Sequence, residues 1–503
     1  MVKKRGVGIT LSYIYFLLNT IIGIFMSAFV IRTVGKTDYG VYQSMTAFIS
    51  YLVLLEFGTG TIMARNISLC KKDGTEKTKL EKNTSTIFSL TVVLSAIILI
   101  AAVVFWSLID IIYARSFSAA QITLGKKLFL FASGNLILGF FTQTLNGFLI
   151  GFEKYTFEKT LAILKLLVRS GLLVVILSFS SSVFAVVCVD FILSLVVFLA
   201  TLFYCLIKLH AKFVFRYFDR SVFAEITPLA FAMLLQTVVN TANGSVDKFL
   251  ISIMMTPEDV SVYSIAMSMF SMFSSIATIP VTMFMPAVAK NMNAGLTGRE
   301  LTETLVSPCR LNVLITGAVA FGFFSVGSAF ISVVYGEAYA DAWLYAIIVI
   351  LPMFFNMTNA VVVDVIDVLR KRHVRSVILL TTTIMNIVMT IFAIRYIGMV
   401  GAAIATGASL IVQTIILNVY YKKKIGLAVG YLFFKSYQGL LFPYVIAAAG
   451  SRLIVHFISN IYLKLFVGGG AFLLLFAAQY LLYGATDDEK KKIKEILCRR
   501  CCK

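Results

Sequence analysis

Runs of about twenty or more predominantly apolar residues recur from one end of the chain to the other, and nothing constrains its fold more. Hydrocarbon offers no water to a bare N–H or C=O, so each run long enough to cross a bilayer is predicted to be a helix that closes its own hydrogen bonds. About fourteen such spans are expected, near 9–31, 41–63, 85–109, 128–150, 160–179, 183–206, 227–254, 261–288, 311–334, 342–362, 376–394, 399–420, 430–451 and 461–483. Of the 503 residues 59% are hydrophobic and only 14% charged, which excludes an ordinary soluble globular domain. The opening MVKKRGVGITLSYIYFLL has the look of a signal peptide, but the spans behind it favour an uncleaved first helix.

A net charge of +20 would point to nucleic acid in a soluble protein. Here most Lys and Arg fall in alternate loops: Arg65 to Lys82, Lys154 and Lys159, Lys208 to Arg220, Lys290 and Arg299, Arg370 to Arg375, Lys422 to Lys424, and the tail after Lys490. By the positive-inside rule those loops are cytoplasmic, and an even number of spans then puts both termini there. The charge reports orientation in the lipid bilayer, and no nucleic-acid partner is expected.

The stretch at 236–263, QTVVNTANGSVDKFLISIMMTPEDVSVY, carries an unusual polar pattern. Gln236, Asn240, Asn243 and Asp247 follow one another at helical spacing and share roughly 60° of a helix surface. A polar face inside a bilayer lines a wet pathway or meets other protein, and amides also serve as interhelical glue, so both uses stay open. One constant shift lays Asn19 on Asn240, Asp38 on Asp259 and Tyr42 on Tyr263, and a slightly shorter one lays Gln143 on Asn359. Two six-span repeats of the same orientation are predicted: a first lobe at 1–210, a second at 211–425, two further helices at 426–484 and a basic cytoplasmic tail at 485–503. Asn135, Gln143 and Asn146 in the fourth span and Asn356 and Asn359 in the tenth recur at helical spacing, so with Asn19 they join the stripe as candidates for a substrate lumen.

Lys248 is read as the one basic residue well inside a span, near the outer end of the seventh. With Arg32 at the outer end of the first span it is a candidate for a phosphate-bearing head group, the alternative being a side chain that snorkels to the interface. Glu56 interrupts the apolar run LLEFGTGTIMAR and is a candidate proton-coupling carboxylate, or the partner of a cation on another span. Arg65 could receive an anion at the inner mouth or simply fix topology.

No P-loop, GxSxG or HExxH occurs, and the expected outer loops are too short for a catalytic domain, so the chain reads as a transporter and not an enzyme. With three histidines and scattered cysteines, no metal site and no cofactor are expected. The C-R-R-C-C tail reads as reduced and solvated.

Several stretches resemble one family, the Wzx-type polysaccharide repeat-unit flippases of the multidrug/oligosaccharidyl-lipid/polysaccharide (MOP) exporter superfamily. They are FVIRTVGKTDYGVYQ, LLEFGTGTIMARNIS, VDKFLISIMMTPEDVSVYSIA, IPVTMFMPAVAK, YGEAYADAW and IGMVGAAIATGASLIVQ, in the family's order along the chain. The resemblance implies an all-α membrane protein, two six-helix lobes about a central cavity with two C-terminal helices that guide a lipid tail. It further implies an undecaprenyl-diphosphate-linked oligosaccharide moved across a bacterial cytoplasmic membrane for capsule or other surface polysaccharide, with polysaccharide assembly enzymes as further partners. An ion-coupled multidrug exporter of the same fold is the alternative reading, and a membrane glycan polymerase or ligase a more distant one.

Overall fold

Apolar segments with no external partner for the backbone can only become helices, and in the computed structural model all described regular structure is helical. The structure describes residues 2–72, 77–213, 219–369, 372–487 and 489–491. The chain divides into two compact units, Met1–Ser261 and Val262–Lys503.

The first unit contains α1 (Val2–Val34), α2 (Lys36–Leu52), α3 (Thr59–Lys72), α4 (Lys77–Tyr113), α5 (Ala119–Gly151), α6 (Tyr155–Phe179), α7 (Val183–Phe203) and α8 (Arg220–Met254). Helix starts carry the side chains that free N–H groups need. Ser118 and Gln121 form a reciprocal capping box on α5, and Asp219 accepts from the Ser221 N–H at 2.8 Å to begin α8. The interior around α5 is aromatic and aliphatic, built on Met45, Phe105, Tyr113, Leu128 and Phe129.

After the start of α9 (Pro257–Asn293), the second unit contains α10 (Gly298–Tyr335), α11 (Ala342–Met357), α12 (Ala360–Val368), α13 (Arg372–Ile397), α14 (Met399–Tyr420), α15 (Val429–Tyr437), α16 (Leu441–His456) and α17 (Ile461–Gln479). Among the described residues eleven helices are long and apolar enough to cross a membrane, and α15 with α16, bent by 42°, makes a twelfth. The 35-residue α8 and the broken pair α11–α12 occupy the seventh and tenth expected spans, so each predicted span has its helix. This is a multi-pass, all-helical membrane protein. The boundary between compact units falls one span later than the 210/211 repeat boundary, because α8 packs on α2 and α4 of the first unit.

Broken spans expose carbonyls that lipid cannot satisfy, and in the second unit α10 supplies the donors. The Asn312 amide donates to the Met357 carbonyl at 2.8 Å, where α11 ends. Arg310, 5% exposed, donates to the Gln438 carbonyl at 2.7 Å, where α15 ends, and to the Gly484 carbonyl at 2.6 Å beyond α17. Two further N–H groups hold the Glu489 carboxylate at 2.8 and 3.1 Å, and Nη1 also reaches the Lys435 carbonyl at 3.3 Å. Gly439, with φ 76°, makes the bend, and a Cβ there would approach the Tyr483 carbonyl at 3.1 Å. Outside the spans, burial pushes the Glu489 carboxyl upward, but the Arg310 hydrogen bonds and the Thr486 backbone N–H outweigh it and leave the group below the usual range.

Candidate translocation site

In the first unit the second span is not one continuous helix. After α2 the chain tightens into a 3-10 turn at Val53–Glu56, then Phe57 (φ 54°) and Gly58 (φ 68°) take left-handed backbone before α3 begins. A glycine adopts such a φ freely, whereas Phe57 does so at a penalty of roughly 1–2 kcal/mol. The break releases the last turn from the helix ladder and places Glu56 beside it. One carboxylate oxygen of Glu56, Oε1, is buried with no hydrogen-bond partner among the described residues.

Past the break, α3 is held against α5 by close backbone approach. A Cβ on Gly60 would come within 2.5 Å of the Gln143 carbonyl oxygen, and one on Gly147 within 2.1 Å of the Gly60 oxygen. Hydroxyls tie the same seam, Thr59 to Thr144 at 2.8 Å and Thr91 to Thr144 at 3.0 Å. The structure therefore brings Gln143 and Asn146, expected in the lumen, to the turn that follows Glu56. The Gln143 side chain is exposed and Asn146 half-buried. Asn19 is exposed on α1, which packs chiefly on α6, and so stands apart from this seam.

At the far end of α8, Asp247 is 6% exposed and Lys248 half-buried. The Tyr51 hydroxyl lies within electrostatic range of Asp247. Phe249 packs its ring on Phe48 and Tyr51 with centroids at 5.7 and 5.5 Å, and Ser252 meets the Tyr113 hydroxyl at 3.2 Å. These contacts fix the rotation of α8 about its axis. The side chains of Gln236, Asn240 and Asn243 lie outside the described residues, as does the tail after residue 491. Arg32 and Arg65 are both exposed, at the end of α1 and on α3.

The second unit uses its amides differently. Asn356 donates to the Thr414 hydroxyl at 2.8 Å, and Asn359, 3% exposed, to the Asn418 side-chain oxygen at 2.8 Å. Both are closed into the packing of α11 and the α11–α12 break against α14. Helical spacing pointed to a shared polar face, and that face meets a neighbouring helix. A separate, almost wholly apolar pocket opens between α9, α10, α11 and α17, lined by Met269, Phe273, Val319, Phe323, Phe330 and Leu465.

Lys248 is not the lone cation inside a span. Lys165 and Arg169 lie within α6, and Asp190 within α7 faces them. The signal was in the sequence: two basic residues at i and i+4 in an apolar run, with an acid in the next span.

A family model described as "Polysaccharide biosynthesis protein" matches residues 29–344, well over half of the chain. The chain belongs to the polysaccharide biosynthesis protein family. It is similar to the lipid II flippase MurJ in an inward closed conformation, with TM-score 0.74 and 16% identity over 94% of this chain and 98% of the other. It also resembles an inward-facing multidrug resistance MATE transporter of the MOP superfamily, with TM-score 0.57 and 14% identity over 83% and 95%. No curated protein sequence matches. The resemblance read from the sequence motifs thus holds at the level of family and fold.

Proposed function

We propose that the protein is a flippase that carries undecaprenyl-diphosphate-linked oligosaccharide repeat units across a bacterial cytoplasmic membrane by alternating access, with both termini cytoplasmic, in the assembly of capsule or another surface polysaccharide. The observation that carries this reading is a polysaccharide-biosynthesis family match on a chain folded like a lipid flippase. Amide side chains at Gln143, Asn146, Gln236, Asn240 and Asn243 suit sugar hydroxyls, with Asp247 and Asn19 as further polar contacts. Lys248, Arg32 and Arg65 are the cations read for the diphosphate, since charge-assisted bonds to phosphate are strong. The apolar pocket of the second unit suits part of a polyprenyl chain. Asn356 and Asn359, tied to α14, are not among the residues assigned to sugar.

The test is reconstitution of the purified protein in vesicles containing a fluorescent prenyl-diphosphate-linked oligosaccharide, with transfer between leaflets followed by a membrane-impermeant quencher. Transfer well above that of protein-free vesicles is expected, with Asp247→Leu reducing it at equal incorporation. Transfer no faster than the background, or movement of amphipathic cations in place of the lipid-linked sugar, would end this reading.

A further inference from the structure

The charged cluster between α6 and α7 takes no part in the site described above. At 1.5 Å per residue, Lys165 and Arg169 sit about 15 and 21 Å along α6, a helix of about 37 Å, and so occupy its middle. Arg169 holds Asp190 with two parallel bonds, from Nε to Oδ1 and from the terminal nitrogen to Oδ2, the latter at 2.9 Å. That bidentate pair is neutral as a unit. Lys165, one turn earlier on the same face, is the excess charge.

Among the described residues the Lys165 ammonium has one hydrogen-bond partner, the buried Ser194 hydroxyl at 2.9 Å. An ammonium carries three donors, so Lys165 is left with donors to offer. The groups facing it are Asp190, which lies within electrostatic range but is already engaged by Arg169, and Arg169 itself. From α2, the Tyr42 hydroxyl lies within range of the Arg169–Asp190 pair. The cluster is not sealed: Lys165 is half-buried, and the Arg169 side chain keeps 32% of its surface exposed. An unbalanced cation in the middle of a span that touches accessible space is the arrangement that accepts an anion.

We propose that Lys165, framed by Ser194 and by the Arg169–Asp190 pair, is an intramembrane anion-binding site that takes a phosphate or carboxylate oxygen of the transported molecule. The inference rests on the flippase reading for its ligand, since such a substrate offers two sources of that oxygen, a diphosphate linkage or an acidic sugar. Lys165 makes the contact. Arg169 acts as a positioning residue, because by holding Asp190 in a bidentate grip it keeps that carboxylate from neutralising the ammonium.

The experiment uses the purified full-length protein in detergent, with melting temperature recorded against increasing farnesyl diphosphate or a glucuronate-containing oligosaccharide. The wild type is expected to gain thermal stability with at least one probe, and the probe that works identifies the source. Lys165→Met is expected to raise the half-saturating concentration about tenfold or more, as loss of one charge-assisted contact implies, while Lys165→Arg retains binding. Without probe, Lys165→Met should melt at or above the wild type, because removing an unbalanced charge from apolar surroundings is neutral or stabilising. Three results overturn the site: neither probe stabilises the wild type, Lys165→Met binds both as the wild type does, or Lys165→Met without probe melts lower or does not fold. Binding through Lys165 with no leaflet transfer in vesicles would instead remove the flippase reading and leave the site standing.

Discussion

The seam between α3 and α5 gives the sharpest stability prediction. In Gly147→Ala the new methyl would lie 2.1 Å from the Gly60 carbonyl oxygen, while ordinary contact begins at 3.4 Å. The two backbones must therefore part by roughly 1 Å, because the clash is with main chain and no side chain can swing away. Overpacking of this kind costs about 1–3 kcal/mol. The same displacement stretches the Thr59–Thr144 hydroxyl bond, now 2.8 Å, beyond useful length, which adds about 0.5–1.5 kcal/mol. Against this, alanine in a helix gains about 1 kcal/mol over glycine. The net expectation is a loss of about 1–3 kcal/mol, read as a fall of several degrees in the melting temperature of the purified protein. Gly139, on the same helix, has nothing within 4 Å of the point a Cβ would occupy, so Gly139→Ala collects the helix gain alone and should melt at or slightly above the wild type. If Gly147→Ala melts as high as Gly139→Ala, the close approach of α3 to α5 is wrong, and with it the approach of Gln143 to the turn that follows Glu56.

The latch from Arg310 to the chain beyond α17 should respond to acid. A carboxyl whose folded pKa lies below its unfolded value of about 4.3 contributes stability above that value and loses it as pH falls through the folded one. Acid melting of the wild type should therefore show a destabilisation below about pH 4 that Glu489→Gln lacks, with Arg310→Met costing about 3 kcal/mol at neutral pH because it also strands three carbonyls. Asn359→Leu should lower the melting temperature, by about 1 kcal/mol for the bond to Asn418, while leaving transport per folded molecule unchanged. A selective loss of transport would return Asn359 to the lumen. If Glu56 exchanges protons during transport, Glu56→Gln should flatten the pH dependence of leaflet transfer, and an unaltered pH profile at equal incorporation would remove that role.

Much of this protein was written in its apolar runs. Hydropathy reports what one helix gains by entering lipid, a property of a segment by itself, so every expected span acquired a helix, and the order of the motifs along the chain located the family. Helical spacing could also say which polar residues share a face. It could not say what that face meets, because the rotation of a helix about its axis is set by its neighbours. Asn356 and Asn359 have the same amide chemistry as Asn146, yet α14 engages the first two and Asn146 sits half-buried near the Glu56 break.

Lys165, Arg169 and Asp190 were legible as charges within spans, but only packing paired one arginine with the one acid and left the lysine over. Span interruptions were the least visible. The left-handed backbone at Phe57 and Gly58 and the bend at Gly439 lie inside stretches that hydropathy reads as single spans, and carbonyls freed at the breaks of the second unit are answered from residues distant in sequence, Arg310 and Asn312 among them. Composition determined how many times the chain enters the membrane, since each entry is a local balance of transfer energies. Tertiary structure decided where those helices break and which charge within a span remains unbalanced, since both depend on donors and acceptors that only the folded chain brings together.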